Sequence, residues 1–341
     1  MAKTWTTTEL LEDIRDNTRT ADDDPEATDE ILLRHATRVL ESTYVPAVRS
    51  TRGDYYVISA DLEMTRGIGA YGIPRRATVA SVRTVRVVDS AGTEYELIQI
   101  PLEDVPTVRS SAYGTPAFFA LADDRVEVRP APSSSDFTLR VSFEYRPSQL
   151  VAYDAATAAR VVTASYDYSA DTYTLVADVD VFVDDDFVDV IRKDPPFASP
   201  VIDARLNATG ATSGGYGLDL VSWVGVASRP PADVAGSALG VNALGLRAGD
   251  YIMPEGTTPI PQIPPELHPC LAMHTAARWL LPIDPSGSQA LDMKANEELR
   301  RLLSAMQPRK TGTQPKNKPR TRNVAVYGGY GRGGRTFGDL R

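Results

Sequence analysis

The sequence predicts an α+β protein: a small helical bundle built from both chain ends, with a large β-rich insertion between them and an extended C-terminal arm. Three observations predict it. Helical periodicity is confined to the first 50 residues and to 261–307, alternating polar and apolar runs fill the stretch between, and beyond Met306 the apolar residues a core needs give out. The chain therefore divides into N-terminal helices (1–50), a β-rich region (51–153), a second β-rich insertion with a Gly/Pro-rich linker (154–260), a helical hairpin (261–307) and a basic arm (308–341).

Thr6 followed three residues later by Glu9 is a capping-box pattern ahead of Leu10, Leu11 and Ile14, and it predicts a short helix over 4–20. The run from Ala21 to Pro25 breaks it. Thr28 and Asp29 open a second helix with Ile31, Leu32, Ala36, Val39, Leu40 and Tyr44 on its apolar side, and Pro46 is expected to end it.

From Asp54 to about Leu150, runs such as VASVRTVRVVDSAGTEYELIQI and FTLRVSFEYRPSQL alternate polar and apolar residues between Gly, Pro and Ser breaks, the pattern of strands. Asp89 to Gly92 reads as a hairpin turn. VVTASYDYSADTYTLVADVDVFVDDDFVDVI predicts two or three further strands, and the second β-rich block continues to a Pro/Ala/Gly-rich run over 229–249.

The stretch from Pro261 to Met306 organises the rest. Pro265 suits the first turn of a helix, where its missing N–H has no intrahelical partner, and Glu266 suits the positive end of the helix dipole. Leu267, Leu271, Thr275 and Trp279 recur at steps of four. Pro282 then stops the helix, and Asp284 to Ser288 supply a turn and a fresh N-cap. The second helix places Leu291, Ala295, Leu299, Leu302 and Met306 on one side, with Lys294, Glu297, Glu298, Arg300 and Arg301 largely elsewhere. The bundle's packing residues are accordingly Leu32, Val39, Leu40, Leu267, Leu271, Trp279, Leu291, Leu299 and Leu302, with the termini near each other.

The arm begins with the spacer KTGTQPKNKPRTR, which buries too little to offset its ordering entropy. Asn323 to Tyr327 follow as a short strand-like patch, then a glycine-rich end. Arg309, Lys310, Lys316, Lys318, Arg320, Arg322, Arg332, Arg335 and Arg341 face only Asp339 there, so a chain of net charge −9 has a strongly acidic body and a basic tail. Such an arm suits reaching to another subunit, by strand addition to an exposed edge.

Chemistry-bearing patterns are sparse. Among His268, Cys270 and His274, Cys270 and His274 stand one helical turn apart, but a metal would need His268 to converge with them, and packing explains all three. The run Asp178, Asp180, Asp184, Asp185, Asp186 and Asp189 lacks the spacing of a calcium loop, and its alternation with Val reads as a solvent-facing strand and turn. No nucleophile elbow, phosphate-binding loop or His-Glu-x-x-His stretch occurs, so neither an enzyme nor a cofactor is expected. Cys270 is the single cysteine and excludes an internal disulfide. With no apolar run of about 18 residues and no apolar core in the first residues, a soluble protein of a reducing compartment is expected, without membrane contact.

Three stretches resemble the head–tail connector adaptors of tailed bacteriophages, ring proteins that dock beneath the portal. TDEILLRHATRVLESTYVP resembles the helix family members use in their ring, GTPAFFALADDRVEVRPAPSSSDFTLRVSFEYRPSQL a recurrent sheet segment, and GDYIMPEGTTPIPQIPPELHPCLAMHTAARWLL the start of their long helix. The resemblance covers about two thirds of the chain and thins over 155–245. It implies a structural protein of the virion, assembled in the host cytoplasm. Protomers would form a ring, twelve copies being usual in the family, around the channel through which genomic DNA passes without specific binding.

On that resemblance the arm would insert into the portal protein. Val324, Val326, Tyr327 and Tyr330 would anchor it, Arg320, Arg322, Arg332 and Arg335 would supply charged contacts, and Phe337 would belong to the same portal-binding segment. Other tail or connector proteins would be met below. An acidic body suits a channel wall, since like charge lets DNA slide.

Two other readings stay open. The basic, aromatic, glycine-rich tail suits nucleic-acid binding. Tyr166, Tyr168, Tyr173, Tyr216 and Trp223 in the strand-rich middle suit a carbohydrate- or cell-surface-binding protein, although core packing explains them more simply.

Overall fold

A computed structural model describes residues 3–306 apart from 23, 75–76, 78–80, 105–112, 168–171, 180, 183–186, 194–200, 208–214 and 225–246, with 164–167, 172–174, 201–207 and 215–224 described by backbone alone. Helices and β-sheets make an α+β fold. Residues 1–307 form one compact unit.

The helices are α1 (Thr7–Thr18), α2 (Asp29–Val39), α3 (Val45–Thr51), α4 (His268–Leu280) and α5 (Pro285–Met306). The capping box forms at the start of α1: the Thr6 hydroxyl accepts from the Glu9 N–H, and the Glu9 carboxylate accepts the Thr6 N–H at 2.9 Å. Leu10, Leu11 and Ile14 are buried below it. Pro46 does not end the second helical stretch. A π-helical turn, Leu40–Tyr44, follows α2, and α3 continues with Pro46 in its first turn. A proline ring clashes with the carbonyl four residues earlier in a regular helix, and the wider turn removes that clash.

α4 is also unlike its sequence pattern. It is buried nearly all round, with Cys270, Leu271, Ala272, Met273, Thr275, Ala276 and Ala277 inside, because α1, α2 and α5 all pack against it. The second helix of the hairpin starts sooner than expected, at Pro285, because Asp284 is the cap. Its carboxylate accepts from the Gly287 N–H at 3.0 Å and the Ser286 hydroxyl at 2.8 Å, and these bonds hold its carboxyl below the ordinary range.

The strands are β1 (Val57–Glu63), β2 (Ala70–Gly72), β3 (Val82–Val88), β4 (Glu94–Glu96), β5 (Ile98–Gln99), β6 (Tyr113–Gly114), β7 (Phe118–Ala122), β8 (Arg125–Arg129), β9 (Ala131–Pro132), β10 (Thr138–Glu144), β11 (Gln149–Leu150), β12 (Ala159–Asp167), β13 (Thr172–Ala177), β14 (Phe187–Ile191), β15 (Val201–Asn207), β16 (Gly215–Val224), β17 (Tyr251–Pro254) and β18 (Thr257–Thr258). The turn at 89–92 joins β3 and β4 as the sequence indicates. Asp89 accepts the Ala91 and Thr93 N–H groups, and Gly92 takes a φ of 79° that other side chains disfavour.

The two β-rich blocks are not separate sheets. Six strands close a ring of antiparallel pairings, β12-β13-β16-β15-β14-β17 and back to β12, a barrel with no free edge. At its far end β16 pairs Trp223 with Ser59 and Val224 with Ile58 of β1, and the sheet runs on through β10, β3 and β4. The chain then bridges to a smaller sheet, because the Leu97 N–H bonds to Val85 and the Ile98 N–H to Ala117. Alternation in β10 and β3 puts Leu139, Val141, Phe143, Val85 and Val87 into the same core that receives Leu32, Leu40, Leu267 and Leu271 from the helices.

Candidate assembly surfaces

The segment from Thr258 to α4 is a seam that joins α1, the start of β1 and the approach to β11. Thr258, Ile260, Gln262 and Ile263 are buried in it. The Pro259 carbonyl accepts the Thr7 N–H at 2.8 Å, which fixes the start of α1. The Tyr56 hydroxyl donates to the Gln262 carbonyl at 3.0 Å, and the Ser148 N–H donates to the Gln262 side chain at 2.8 Å, which ties in the sheet. Thr37 of α2 accepts the Leu150 N–H at 3.1 Å.

Two histidines complete the junction. His268 Nδ1 accepts the Trp5 N–H at 3.1 Å and its Nε2 faces the Ile263 carbonyl at 3.2 Å, so the neutral ring is satisfied on both sides. Burial, first among the causes, brings its pKa down to about 4. His274 Nδ1 shares a 2.6 Å hydrogen bond with the fully buried Tyr44 hydroxyl, while its Nε2 stands 3.8 Å from the Asp292 carboxylate. Cys270, also buried, has its thiol pushed up to about 11. His268 faces Trp5 and Ile263 while His274 faces Tyr44 and Asp292, and no group of three or more His, Cys, Asp or Glu among the described residues is placed to hold a metal.

Sequence reading did not find the Trp5–His268 and Tyr44–His274 contacts. They join residues 263 and 230 positions apart, and no local pattern signals such a pairing.

The predicted packing residues are placed as follows. Leu32, Val39, Leu40, Leu267, Leu271 and Leu299 are buried, while Trp279, Leu291 and Leu302 are partly buried against the same core. Trp279 meets the ring of His35 edge-on, 6.1 Å between centroids. Arg320, Arg322, Val324, Val326, Tyr327, Tyr330, Arg332, Arg335 and Phe337 lie outside the described residues.

Of the acidic run, Asp180, Asp184, Asp185 and Asp186 also lie outside them. Asp189 is not solvent-facing. It is fully buried in β14, and its carboxylate accepts from the Ser148 hydroxyl at 3.1 Å and the Gly256 N–H at 3.0 Å, donors that make burial of the charge tolerable. Tyr168 and the side chains of Tyr166, Tyr173, Tyr216 and Trp223 fall outside the description too.

Two surfaces stand out on the body. On the polar side of the main sheet, Asp61 of β1, Arg140 of β10, Arg86 of β3 and Glu94 of β4 form a row. Arg140 bonds both oxygens of Asp61, at 2.8 and 2.9 Å, and reaches Glu94 as well, which Arg86 also meets at 3.2 Å. Arg140 is 5% exposed. On the helical side, α5 buries Ser288, Ala295 and Leu299 against α4 and leaves its opposite side in solvent. Next to it the α4–α5 corner exposes Leu281 (59%) and Ile283 (61%), and Met293 is exposed on α5 itself (66%).

No protein-family model and no curated protein sequence matches this chain. Among the described residues no helix is long and apolar enough to cross a membrane.

Proposed function

We propose that the protein is a structural head-to-tail connector adaptor of a tailed phage, a ring of copies that docks on the portal through the C-terminal arm and joins capsid to tail around the DNA channel. The observation that carries the reading is the helical unit. Helices from both chain ends enclose α4, and a 22-residue α5 lies on the outside with one side uncovered beside an apolar corner. A helix about 33 Å long, at 1.5 Å per residue, with exposed Leu281, Ile283 and Met293 at one end suits packing against a neighbouring copy. Sequence resemblance supports the same role, and the basic 308–341 arm follows directly on α5. In this role the chain has no catalytic step, and its DNA contact is one of repulsion and passage.

The test is a chain ending at Gln307, compared with the full chain for binding to a candidate portal ring. The truncated chain folds, because the described core lies within 1–307, and it loses portal binding. Unchanged affinity would remove the arm from the account. Nucleic-acid retention that falls steeply with salt and disappears with the arm, without any portal binding, would favour a nucleic-acid-binding tail instead.

A further inference from the structure

We infer that the two flanks of α5 are the two halves of one head-to-tail joint, the basic flank of one copy seating the acidic flank of the next. This rests on the ring proposed above and names the contact that would build it.

Charge is sorted across the helical unit. Lys294, Glu297 and Arg301 of α5 line a groove shared with α1, whereas Gln289 and Asp292 line a groove shared with the end of α2 and with α4, so the two lie on different flanks of the helix. Toward the α2 flank, where Asp292 is the charged residue of α5 in the groove, Arg278 sits near the end of α4, and Arg34 and Arg38 stand one turn apart on an adjoining groove that also holds Glu41 and Arg146, all three arginines exposed. Arg34 pairs with Glu30 of its own helix, but among the described residues neither Arg38 nor Arg278 has an ion-pair partner. His35 registers their convergence: its ring is held below the ordinary value by burial first, then by Arg278, Arg38 and Arg34. Leu281 and Ile283 supply apolar area at the same corner.

Toward the α1 flank the sign reverses. Glu12 and Asp16 are exposed, Asp13 is half-buried between them, and Glu297 faces them from α5. Burial and the Asp16 charge push the Asp13 carboxyl up, with the Asn17 amide and then Lys294 drawing it part-way back. Arg301 is taken up by Glu298, so the flank keeps an acidic excess.

Opposite charge on opposite flanks disfavours a symmetric pair, in which like would meet like, and favours addition of each copy to the next in one direction. Such a heterologous contact closes into a ring when the rotation per copy divides a full turn.

The experiment uses full-length chains in sedimentation velocity, alone and with a candidate portal ring, at low and high salt. Arg38→Glu with Arg278→Glu makes both flanks acidic, and Asp13→Lys with Asp16→Lys makes both basic. Each double variant should lose association at least tenfold, and mixing the two should restore it, because every joint then pairs opposite signs again. Arg38, Arg278 and Asp16 are exposed and Asp13 is half-buried, and a circular dichroism spectrum matching the parent chain establishes folding. If the parent assembles and both variants assemble as well as it does, the inference is overturned while the ring reading stands. Should the parent stay single even with the portal, both fall together. Loss of nucleic-acid retention with the Arg38/Arg278 pair, with assembly unchanged, would overturn the inference and assign the basic flank to phosphate contacts.

Discussion

Lowering the pH from 7 to 5 should destabilise the folded chain by about 2 kcal/mol through His268 alone. The ring is fully buried and its two nitrogens are matched to a donor, the Trp5 N–H, and an acceptor, the Ile263 carbonyl. A proton on Nδ1 would set two N–H groups against each other in a fully buried site. The unfolded chain takes up this proton near the ordinary value of 6.5, but the folded chain only near 4. Below pH 6.5 the unfolded state therefore binds more protons, stability falls as pH falls, and the loss levels off below about pH 4. At about 1.4 kcal/mol per pH unit the full loss is about 3 kcal/mol, of which about 2 is reached at pH 5.

His274, held below its ordinary value by burial, destabilises in the same direction as pH falls below 6.5, so a variant must isolate the first site. His268→Asn leaves an oxygen that can accept the Trp5 N–H and has nothing to titrate. Urea unfolding at pH 7 and pH 5, followed by the fluorescence of Trp5 and Trp279 in the helical unit, should show the parent losing about 2 kcal/mol more than the variant over that interval. A pH dependence identical in both to within about 0.5 kcal/mol would refute the reasoning.

Tyr44→Phe strips the buried hydroxyl from His274 Nδ1 and should cost about 1–3 kcal/mol in urea unfolding, since a 2.6 Å hydrogen bond in a buried site is lost. Arg140→Met should cost about 2 kcal/mol, less than a fully buried pair because Asp61 and Glu94 keep some contact with solvent, and the loss should shrink when Asp61→Asn is added. Leu271→Ala, at the centre of α4, should cost about 3 kcal/mol, whereas Met293→Ala on the exposed side of α5 should stay within about 0.5 kcal/mol in the same assay.

Local signals in the sequence carried much of this fold. Thr6 with Glu9, Asp89 with Gly92 and the Pro282–Pro285 corner each act through bonds between residues a few positions apart, so spacing alone reveals them. Pro46 misled because proline reports a clash in a regular helix, and the π turn before it, with Leu40 and Tyr44 buried, lets the helical stretch continue past that clash. Four-residue steps in α4 suggested one buried face, yet small residues such as Ala272, Ala276 and Ala277 let neighbours close in from every side.

Asp189 looked solvent-facing because alternation cannot tell an exposed carboxylate from one buried beside Ser148 and Gly256, which lie 41 and 67 residues away. Closure of the barrel and its junction to β1 depend on pairings between distant strands, for which two-residue periodicity is silent. The candidate assembly surfaces were the least legible part. α5 shows which of its residues face α4, but the sorting of charge to its flanks appears only once α1 and α2 are in place.

The mass of the purified full-length chain, alone and after mixing with a candidate portal ring, tests the central claim most directly. The account predicts a closed multiple of the single-chain mass on the portal, dependent on residues 308–341. A single-chain mass in both samples, with the arm present, would contradict it.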